Sequence, residues 1–573
     1  MVDTAAAQDI SIVSGPPLDS EPGLGALTLP GFLREVTELY GDREAVAGHS
    51  GDGVVRWSYT ELWERAMAVA RALRACGVGR DSRVGVLMTN RPEWLAAVFG
   101  ASLAGGVAVP LSTFSTAAEL DQLLRLSGVS VLLFERQVLS RDFAQILAEL
   151  EPALGQAGLG PLRSARYPFL RRVAMLGPAL PTAAIDTWDT FLARGRSEPR
   201  ELIEATAAST RPSDTGVLFF SSGSTSAPKG VLSAHRGVTI QMWRFRRLFG
   251  FGPEDDVRAW VANGFFWSGN FAQALGSTLA AGGSLVLQPI FDAPAALELM
   301  QAERVNFPGA WPHQWAQLEA APNWDTVDLS AMRFVDYHTP IAHHPTVSTI
   351  WYEPGRAYGN TETFTITTCY PADTPEQVHA GSSGVALPGV TVKIVDPITD
   401  AVTARGESGE ICVKGPTLML GYLGTPLSEA LDADGYFHTG DGGHLDATGR
   451  LFWEGRLTDI IKTGGANVSP LEVDEALIGY PGVKVARTVG VPHDTLGEVV
   501  VACLVPHEGA TPEAEAIRAH LRERLASYKV PRHVLFFDET DIALTGSAKI
   551  KSSDLRALAA RRLSQEANPS AAQ

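Results

Sequence analysis

Between Val217 and Leu232 the chain reads Val-Leu-Phe-Phe-Ser-Ser-Gly-Ser-Thr-Ser-Ala-Pro-Lys-Gly-Val-Leu. An apolar run suited to a buried strand ends in small hydroxyl residues and a glycine: Ser221, Ser222, Gly223, Ser224 and Thr225. The segment's one cation, Lys229, follows. Such a loop exposes backbone N–H groups and hydroxyls that can surround phosphate oxygens, and the lysine adds a compact, mobile charge. It is not a Walker loop, because Gly230 rather than Ser or Thr follows Lys229. A plain serine-rich surface turn fits poorly behind a strand this apolar. Phosphate binding is the chemistry the segment suits.

Further motifs lie on both sides. Trp57-Ser-Tyr-Thr-Glu-Leu and Ala104-Gly-Gly-Val-Ala-Val-Pro-Leu precede it. Tyr358-Gly-Asn-Thr-Glu-Thr, Gly406-Glu-Ser-Gly-Glu-Ile, Thr439-Gly-Asp, the stretch from Gly455-Arg-Leu-Thr to Gly-Gly-Ala-Asn-Val468, and Thr545-Gly-Ser-Ala-Lys-Ile follow. In this order they resemble the acyl-adenylate-forming superfamily: acyl- and aryl-CoA synthetases, peptide-synthetase adenylation domains and luciferases. The resemblance runs from about residue 30 to 560.

The resemblance implies an acid–thiol ligase using ATP, Mg²⁺ and coenzyme A, and it assigns roles by position. Glu362 matches the Mg²⁺ ligand, helped by Thr225. Tyr358 matches the aromatic against adenine, and Thr361 the residue beside the α-phosphate. Asp441 matches the carboxylate on the ribose hydroxyls, with Arg456 as its cationic partner. Lys549 matches the catalytic lysine that bridges substrate carboxylate and α-phosphate; Lys551 is its local competitor. A C-terminal lid would then turn about a hinge at Thr458. That turn withdraws Lys549 and presents a hairpin in which Lys462 and Asn467 serve thioester formation and Gly464 and Gly465 admit pantetheine.

The sequence also departs from the family. Thr458 stands where the hinge is usually Asp or Lys, and Ser226 where the loop commonly has Gly. The loop that commonly carries a His reads Asn263-Gly-Phe-Phe-Trp-Ser-Gly-Asn, with Phe266 at that place, and a Gly-Ala-Pro stretch is replaced by Asp336-Tyr-His-Thr-Pro. Phe266, Trp267, Trp311, Tyr337 and His338 thus make a candidate acyl pocket for a bulky apolar acid, alicyclic or polycyclic. Core packing is the competing reading. Transfer to a separate carrier protein, use of a ready-made acyl-adenylate, and a nucleotide-binding regulator without turnover stay open as alternatives.

These residues need a scaffold. From Leu29 to about Glu454, helical patterns alternate with short strands such as Arg83-Val-Gly-Val-Leu-Met, which predicts α/β architecture with parallel sheets. Phe99–Leu111 and Leu275–Leu287 resemble each other as helix, Gly-Gly stop and buried strand, predicting two similar α/β halves. Beyond Gly435 short strands with Gly turns take over, and the resemblance adds a β-barrel-like subdomain and a mobile α+β C-terminal domain. The expected bounds are a loose tail at 1–28, an AMP-binding domain at 29–455, a lid at 456–564 and a second tail at 565–573. Arg244-Phe-Arg-Arg247 reads as a solvated helix face, or alternatively as a coenzyme A phosphate contact.

Composition narrows the classes. With 573 residues, 45% hydrophobic and 19% charged, the chain is expected to be globular with more than one domain. A net charge of −17 without a basic tract argues against nucleic acid as a partner. The uncharged stretches Trp94–Leu111 and Ala259–Phe291 are broken by Gly pairs and read as buried helix, turn and strand, not membrane spans. Scattered cysteines without CxxC spacing read as reduced core thiols, with a disulfide or zinc site as the alternative, and the N-terminus lacks a signal-peptide pattern, so a cytosolic location is expected. A homodimer stays open.

Overall fold

In the computed structural model the chain divides into two compact units. The larger holds Ser14–Thr391 and Lys414–Phe437; the smaller holds Met1–Val13, Val392–Val413 and His438–Gln573. The structure describes residues 10–50, 53–156, 160–178, 184–221, 228–353, 357–463, 466–493, 496–525, 527–538 and 552–567.

The apolar run Thr215–Ser221 lies inside an eight-stranded sheet, as its lack of polar alternation requires. Across that sheet the order is Ile185–Thr187, Arg172–Leu176, Val131–Glu135, Arg83–Leu87, Val107–Pro110, Thr215–Ser221, Lys229–Ala234 and Gly421–Tyr422. The first six run parallel, and the last two pair antiparallel. A second, five-stranded sheet orders Phe307–Gly309, Arg258–Val261, Ser284–Leu287, Glu44–Ser50 and Gly53–Ser58, parallel except for its last pair.

The predicted repeat is visible in both sheets. Helix Pro92–Leu103 ends at Gly105 (φ 77°) and leads into Val107–Pro110; helix Ser277–Ala280 ends at Gly282 (φ 73°) and leads into Ser284–Leu287. The second copy differs in one respect. Its helix is a π-helix over Phe271–Gly276, an irregularity that local periodicity does not reveal. Both uncharged stretches are therefore buried helix–turn–strand units, and among the described residues no helix is long and apolar enough to cross a membrane.

The smaller unit holds a five-stranded sheet of Ile12–Ser14, Thr391–Val395, Gly409–Lys414, Phe437–Leu445 and Leu451–Arg456. Its other sheet joins Ala466–Val468, Ile461–Thr463, Gly497–Pro506 and Val483–His493, with His533–Phe536 parallel to Gly497–Pro506. Helices Pro470–Leu477, Ala514–Arg522 and Ser552–Ala567 complete the α+β domain expected there. Cys76, Cys369, Cys412 and Cys503 are free thiols, and burial pushes Cys503 up to about 12.

Two expectations are corrected. The described part of the 1–28 segment is not loose: Ile12–Ser14 is a sheet strand and Glu21 is buried. Arg244 is not on a solvated face either. Its guanidinium donates to Glu21 at 2.9 and 2.7 Å and to the Pro388 carbonyl at 2.9 Å, and both side chains of the pair have 0% exposure. A guanidinium so enclosed is not available to a coenzyme A phosphate. Leaving one partner of such a pair unmatched costs about 3–5 kcal/mol, which explains why the N-terminal segment is held down.

Candidate active site

Ser221 ends its strand directly opposite Lys229, so this cross-strand pair brackets residues 222–227. Both sit at the carboxyl edge of the parallel strands, where open α/β sheets bind ligands. The Ser221 hydroxyl is buried without a hydrogen-bond partner among the described residues, whereas Lys229 is exposed. Ser222, Gly223, Ser224 and Thr225 lie outside the described residues.

In the same unit, the Tyr358-Gly-Asn-Thr-Glu segment is fixed through its backbone. Tyr358 is 4% exposed; its N–H donates to the Thr368 carbonyl at 3.0 Å, and its own carbonyl accepts from Thr367 N–H at 2.7 Å. A Cβ on Gly359 would lie 1.8 Å from the Thr365 carbonyl oxygen, so this approach needs glycine. Asn360 Oδ1 accepts from Thr363 N–H at 3.0 Å and caps the single turn Thr361–Thr363. Phe364 and Thr365 follow at φ 46° and 89°, a strained pair of the kind found at functional sites. The buried Gln241 amide donates to the Ile366 carbonyl at 2.7 Å and steadies the loop.

Glu362 is held at both ends. Its carbonyl accepts from Met419 N–H at 2.7 Å, and its Oε1 accepts from the Tyr422 hydroxyl at 2.8 Å. The Lys229 ammonium stands 5.0 Å from the centroid of the same Tyr422 ring. Lysine, phenol and carboxylate are thereby tied into one group. Sequence reasoning missed Tyr422; its position in a Gly-Tyr dipeptide, 60 residues from Glu362, carries no local signal of the contact. An oxygen donor of this kind suits Mg²⁺, which takes one or two carboxylates and retains waters.

In the smaller unit, Asp441 and Arg456 are cross-strand neighbours on Phe437–Leu445 and Leu451–Arg456. Arg456 Nε lies 3.0 Å from Asp441 Oδ1, and its Nη1 donates to the Thr439 carbonyl at 2.9 Å. Asp441 is 4% exposed, so its carboxylate is aimed by the sheet and not by solvent. Thr458 is exposed in the turn immediately after Arg456. Lys462 is exposed and pairs with Asn467 across the hairpin of Ile461–Thr463 and Ala466–Val468. Gly464, Gly465, the Asn467 side chain and Lys549 lie outside the described residues.

The aromatic candidates fall into two groups. Phe266, Trp267 and Trp311 form a continuous run, with centroids 5.5 Å apart for Phe266–Trp267 and 6.0 Å for Trp267–Trp311. Phe114, unnoticed in the sequence, extends it with an edge-on contact to Phe266 at 5.8 Å, and Arg141 pins the Phe114 loop through the Thr113 and Ser115 carbonyls. Tyr337 and His338 are exposed and stack on each other at 3.9 Å, with Tyr352 edge-on to Tyr337. Beyond the run, the Gln273 amide reaches Glu353 at 3.5 Å; burial, with Asp336 adding repulsion, pushes the Glu353 carboxyl up to about 7.

Comparison with known proteins gives the family. The AMP-binding enzyme model matches residues 33–423, and the AMP-binding enzyme C-terminal domain model matches 472–549. A Rhodococcus jostii CoA ligase, named for a propanoyl group carried on a methyl-dioxo-octahydro-indenyl ring system, is 32% identical over 92% of this chain and 98% of its own. A feruloyl-CoA synthase from Amycolatopsis is 33% identical over 87% and 93%. The ATP-bound structure of MatB from Rhodopseudomonas palustris superposes with a TM-score of 0.73 at 26% identity, over 93% of this chain and 99% of that one. The chain therefore belongs to the AMP-binding enzymes, the acyl-adenylate-forming superfamily that its motifs resemble.

Proposed function

We propose that the chain activates a carboxylic acid with ATP and transfers the acyl group to coenzyme A. It is an AMP-forming acid–thiol ligase. The observation that supports this reading is the Lys229–Tyr422–Glu362 group, a cation and a carboxylate held together next to the hydroxyl-rich segment, an arrangement suited to a triphosphate and its Mg²⁺.

In the first half-reaction an oxygen of the acid attacks the α-phosphorus of ATP in line, and pyrophosphate leaves. Two anions must meet, so charge neutralisation and positioning dominate the barrier. Lys229 and the loop hydroxyls and amides take the phosphates, Tyr358 lies against adenine and Thr361 stands beside the α-phosphate. Asp441 accepts the ribose hydroxyls while Arg456 holds its carboxylate. Glu362, with Thr225, would hold Mg²⁺, which supplies further screening of phosphate charge. Lys549 bridges the carboxylate and the α-phosphate. In the second half-reaction the coenzyme A thiolate attacks the acyl carbon and AMP leaves, with Lys462, Gly464, Gly465 and Asn467 lining the thiol's approach. Residues 456–564 act as the mobile domain, with Thr458 as hinge.

The acid is bulky and mostly apolar. The aromatic run Phe114–Phe266–Trp267–Trp311 supports this, as do relatives named for fused-ring and aromatic acyl groups. A panel of aliphatic, aromatic and fused-ring acids, scored for AMP formation with and without coenzyme A, tests the proposal. Coenzyme A-dependent AMP release with ring acids is expected. Pyrophosphate release that coenzyme A never converts to thioester would shift the acceptor to a carrier protein.

A further inference from the structure

Strand Gly409–Lys414 places Glu410 and Cys412 two residues apart, and so on one face, beside His438 of strand Phe437–Leu445. A carboxylate oxygen, the thiol sulfur and an imidazole nitrogen all fall within 4.8 Å of one another. His438 Nδ1 is 2.9 Å from Glu410 Oε2 and 3.5 Å from Cys412 Sγ. Its other nitrogen, Nε2, is 3.7 Å from Asp400 Oδ1. That carboxylate stands beyond hydrogen-bond distance, on the side of the imidazole away from Glu410, where a small approach would let it accept from Nε2 as carboxylates do behind metal-binding histidines. Cys412 is fully buried while the His438 side chain is 30% exposed, which leaves an entry path along the imidazole.

We infer that Glu410, Cys412 and His438 form a site for a thiophilic divalent cation of the Zn²⁺ type, with a fourth position open to water. In a tetrahedral zinc site, bond lengths near 2.3 Å to sulfur and near 2.0 Å to nitrogen and oxygen put ligand atoms roughly 3.3–3.6 Å apart. The observed 3.5 Å between sulfur and nitrogen already fits, and the 2.9 Å contact opens by a few tenths of an ångström when the ion replaces the hydrogen bond. A thiolate–imidazole–carboxylate set selects against Mg²⁺, which separates this site from Glu362. Proton balance is simple. The thiol loses its proton to solvent, and the proton that His438 Nδ1 shares with Glu410 is replaced by the ion while Nε2 takes one up from solvent, so a neutral imidazole stays neutral and about one proton is released per ion.

The site is coupled to the turn that follows it. Glu410 Oε1 accepts from Gly440 N–H at 2.9 Å, one residue before Asp441, and Thr439 Oγ1 donates to the Ile411 carbonyl at 2.7 Å. An ion that takes the Glu410 carboxylate loosens this support, so occupancy slows the ATP-dependent half-reaction. This consequence rests on the ribose role given to Asp441; the binding site itself does not.

The test uses the full-length protein, reduced and freed of metal, titrated with Co²⁺ and then Zn²⁺ without nucleotide. One Co²⁺ per chain is expected, with thiolate-to-cobalt charge-transfer absorption that Zn²⁺ displaces. Cys412→Ser abolishes that band, and His438→Gln weakens binding by about tenfold or more. Cys76→Ser, which removes a half-buried thiol elsewhere, leaves both unchanged. Absence of the band in the parent protein, or its survival in Cys412→Ser, overturns the site. Should Cys412→Ser fail to fold by circular dichroism, undiminished Co²⁺ affinity in His438→Gln overturns it equally. Zinc binding without any slowing of pyrophosphate release would overturn the coupling alone.

Discussion

The Tyr422 hydroxyl donates a 2.8 Å hydrogen bond to Glu362 Oε1 while its ring carries the Lys229 ammonium at 5.0 Å. One side chain thus sets the spacing between the cation and the carboxylate to which the proposed function gives the triphosphate and its Mg²⁺. Tyr422→Phe keeps the ring and removes only the hydrogen bond to a charged group, a loss of about 1.5–3 kcal/mol, or roughly tenfold or more. The Mg²⁺ concentration for half-maximal adenylation is expected to rise by about that factor, with little change in the KM for the acid. Equal Mg²⁺ dependence in the two proteins would show that the phenol does not position Glu362.

Asp441 and Arg456 face each other at 3.0 Å across adjacent strands. If the carboxylate takes the ribose hydroxyls, the parent enzyme prefers ATP over 2′-deoxyATP, and Asp441→Ala erases the preference. The readout is a ratio of kcat/KM values within each protein, which separates ribose recognition from loss of folding. An expected discrimination of about tenfold, the worth of one charged hydrogen bond, should collapse towards unity in the variant. A variant that still discriminates would remove Asp441 from the ribose.

The proposed function gives Lys549 a role confined to one half-reaction. Lys549→Ala is expected to lose ATP-dependent acyl-AMP formation by orders of magnitude yet still convert supplied acyl-AMP and coenzyme A to thioester. Loss of both activities in parallel would argue for a structural lysine instead.

Asp474 on helix Pro470–Leu477 supplies a pH test of the small unit. Its carboxyl is buried beside Thr488, and its Oδ2 is 3.8 Å from Arg487 Nη1. Burial pushes the carboxyl up from 3.8 to about 7; Thr488 and, less strongly, Arg487 pull the other way, and Glu475 adds repulsion. The native state therefore binds this proton more tightly than the unfolded chain does. Its contribution to stability is full below about pH 4 and is lost as pH rises through about 7. Thermal melts between about pH 5 and about pH 8 should show the parent protein falling relative to Asp474→Asn. Curves that stay parallel would remove Asp474 as the cause.

What the sequence disclosed follows from the range of each interaction. The apolar strand that ends at Ser221 and the Gly105 and Gly282 stops are set by residues close together in the chain, so their spelling was enough. Arg244 read as solvated because its partner, Glu21, lies 223 residues away in a segment with no periodic pattern. Tyr422, Phe114 and the Glu410–Cys412–His438 group escaped for the same reason: each is made by strands or loops whose adjacency only the folded chain supplies. Tyr337 and His338, grouped by their order in the chain with Phe266, Trp267 and Trp311, contact each other, and Tyr337 meets Tyr352 edge-on.

The aromatic run yields a prediction that separates an acyl pocket from core packing. Phe114 is 54% exposed, so Phe114→Leu should leave stability within about 0.5 kcal/mol. Its edge-on contact with Phe266 closes one end of the run, and an apolar ring lodged there would lose aromatic contact worth about 0.5–1.5 kcal/mol beyond area. The KM for fused-ring acids is therefore expected to rise about two- to tenfold, with the KM for ATP unchanged and short aliphatic acids unaffected. Phe266→Leu, nearer the centre of the run, should move the same parameter in the same direction and further. A uniform fall in kcat across all acids would instead place these rings in the supporting core, with the acid bound elsewhere in the unit.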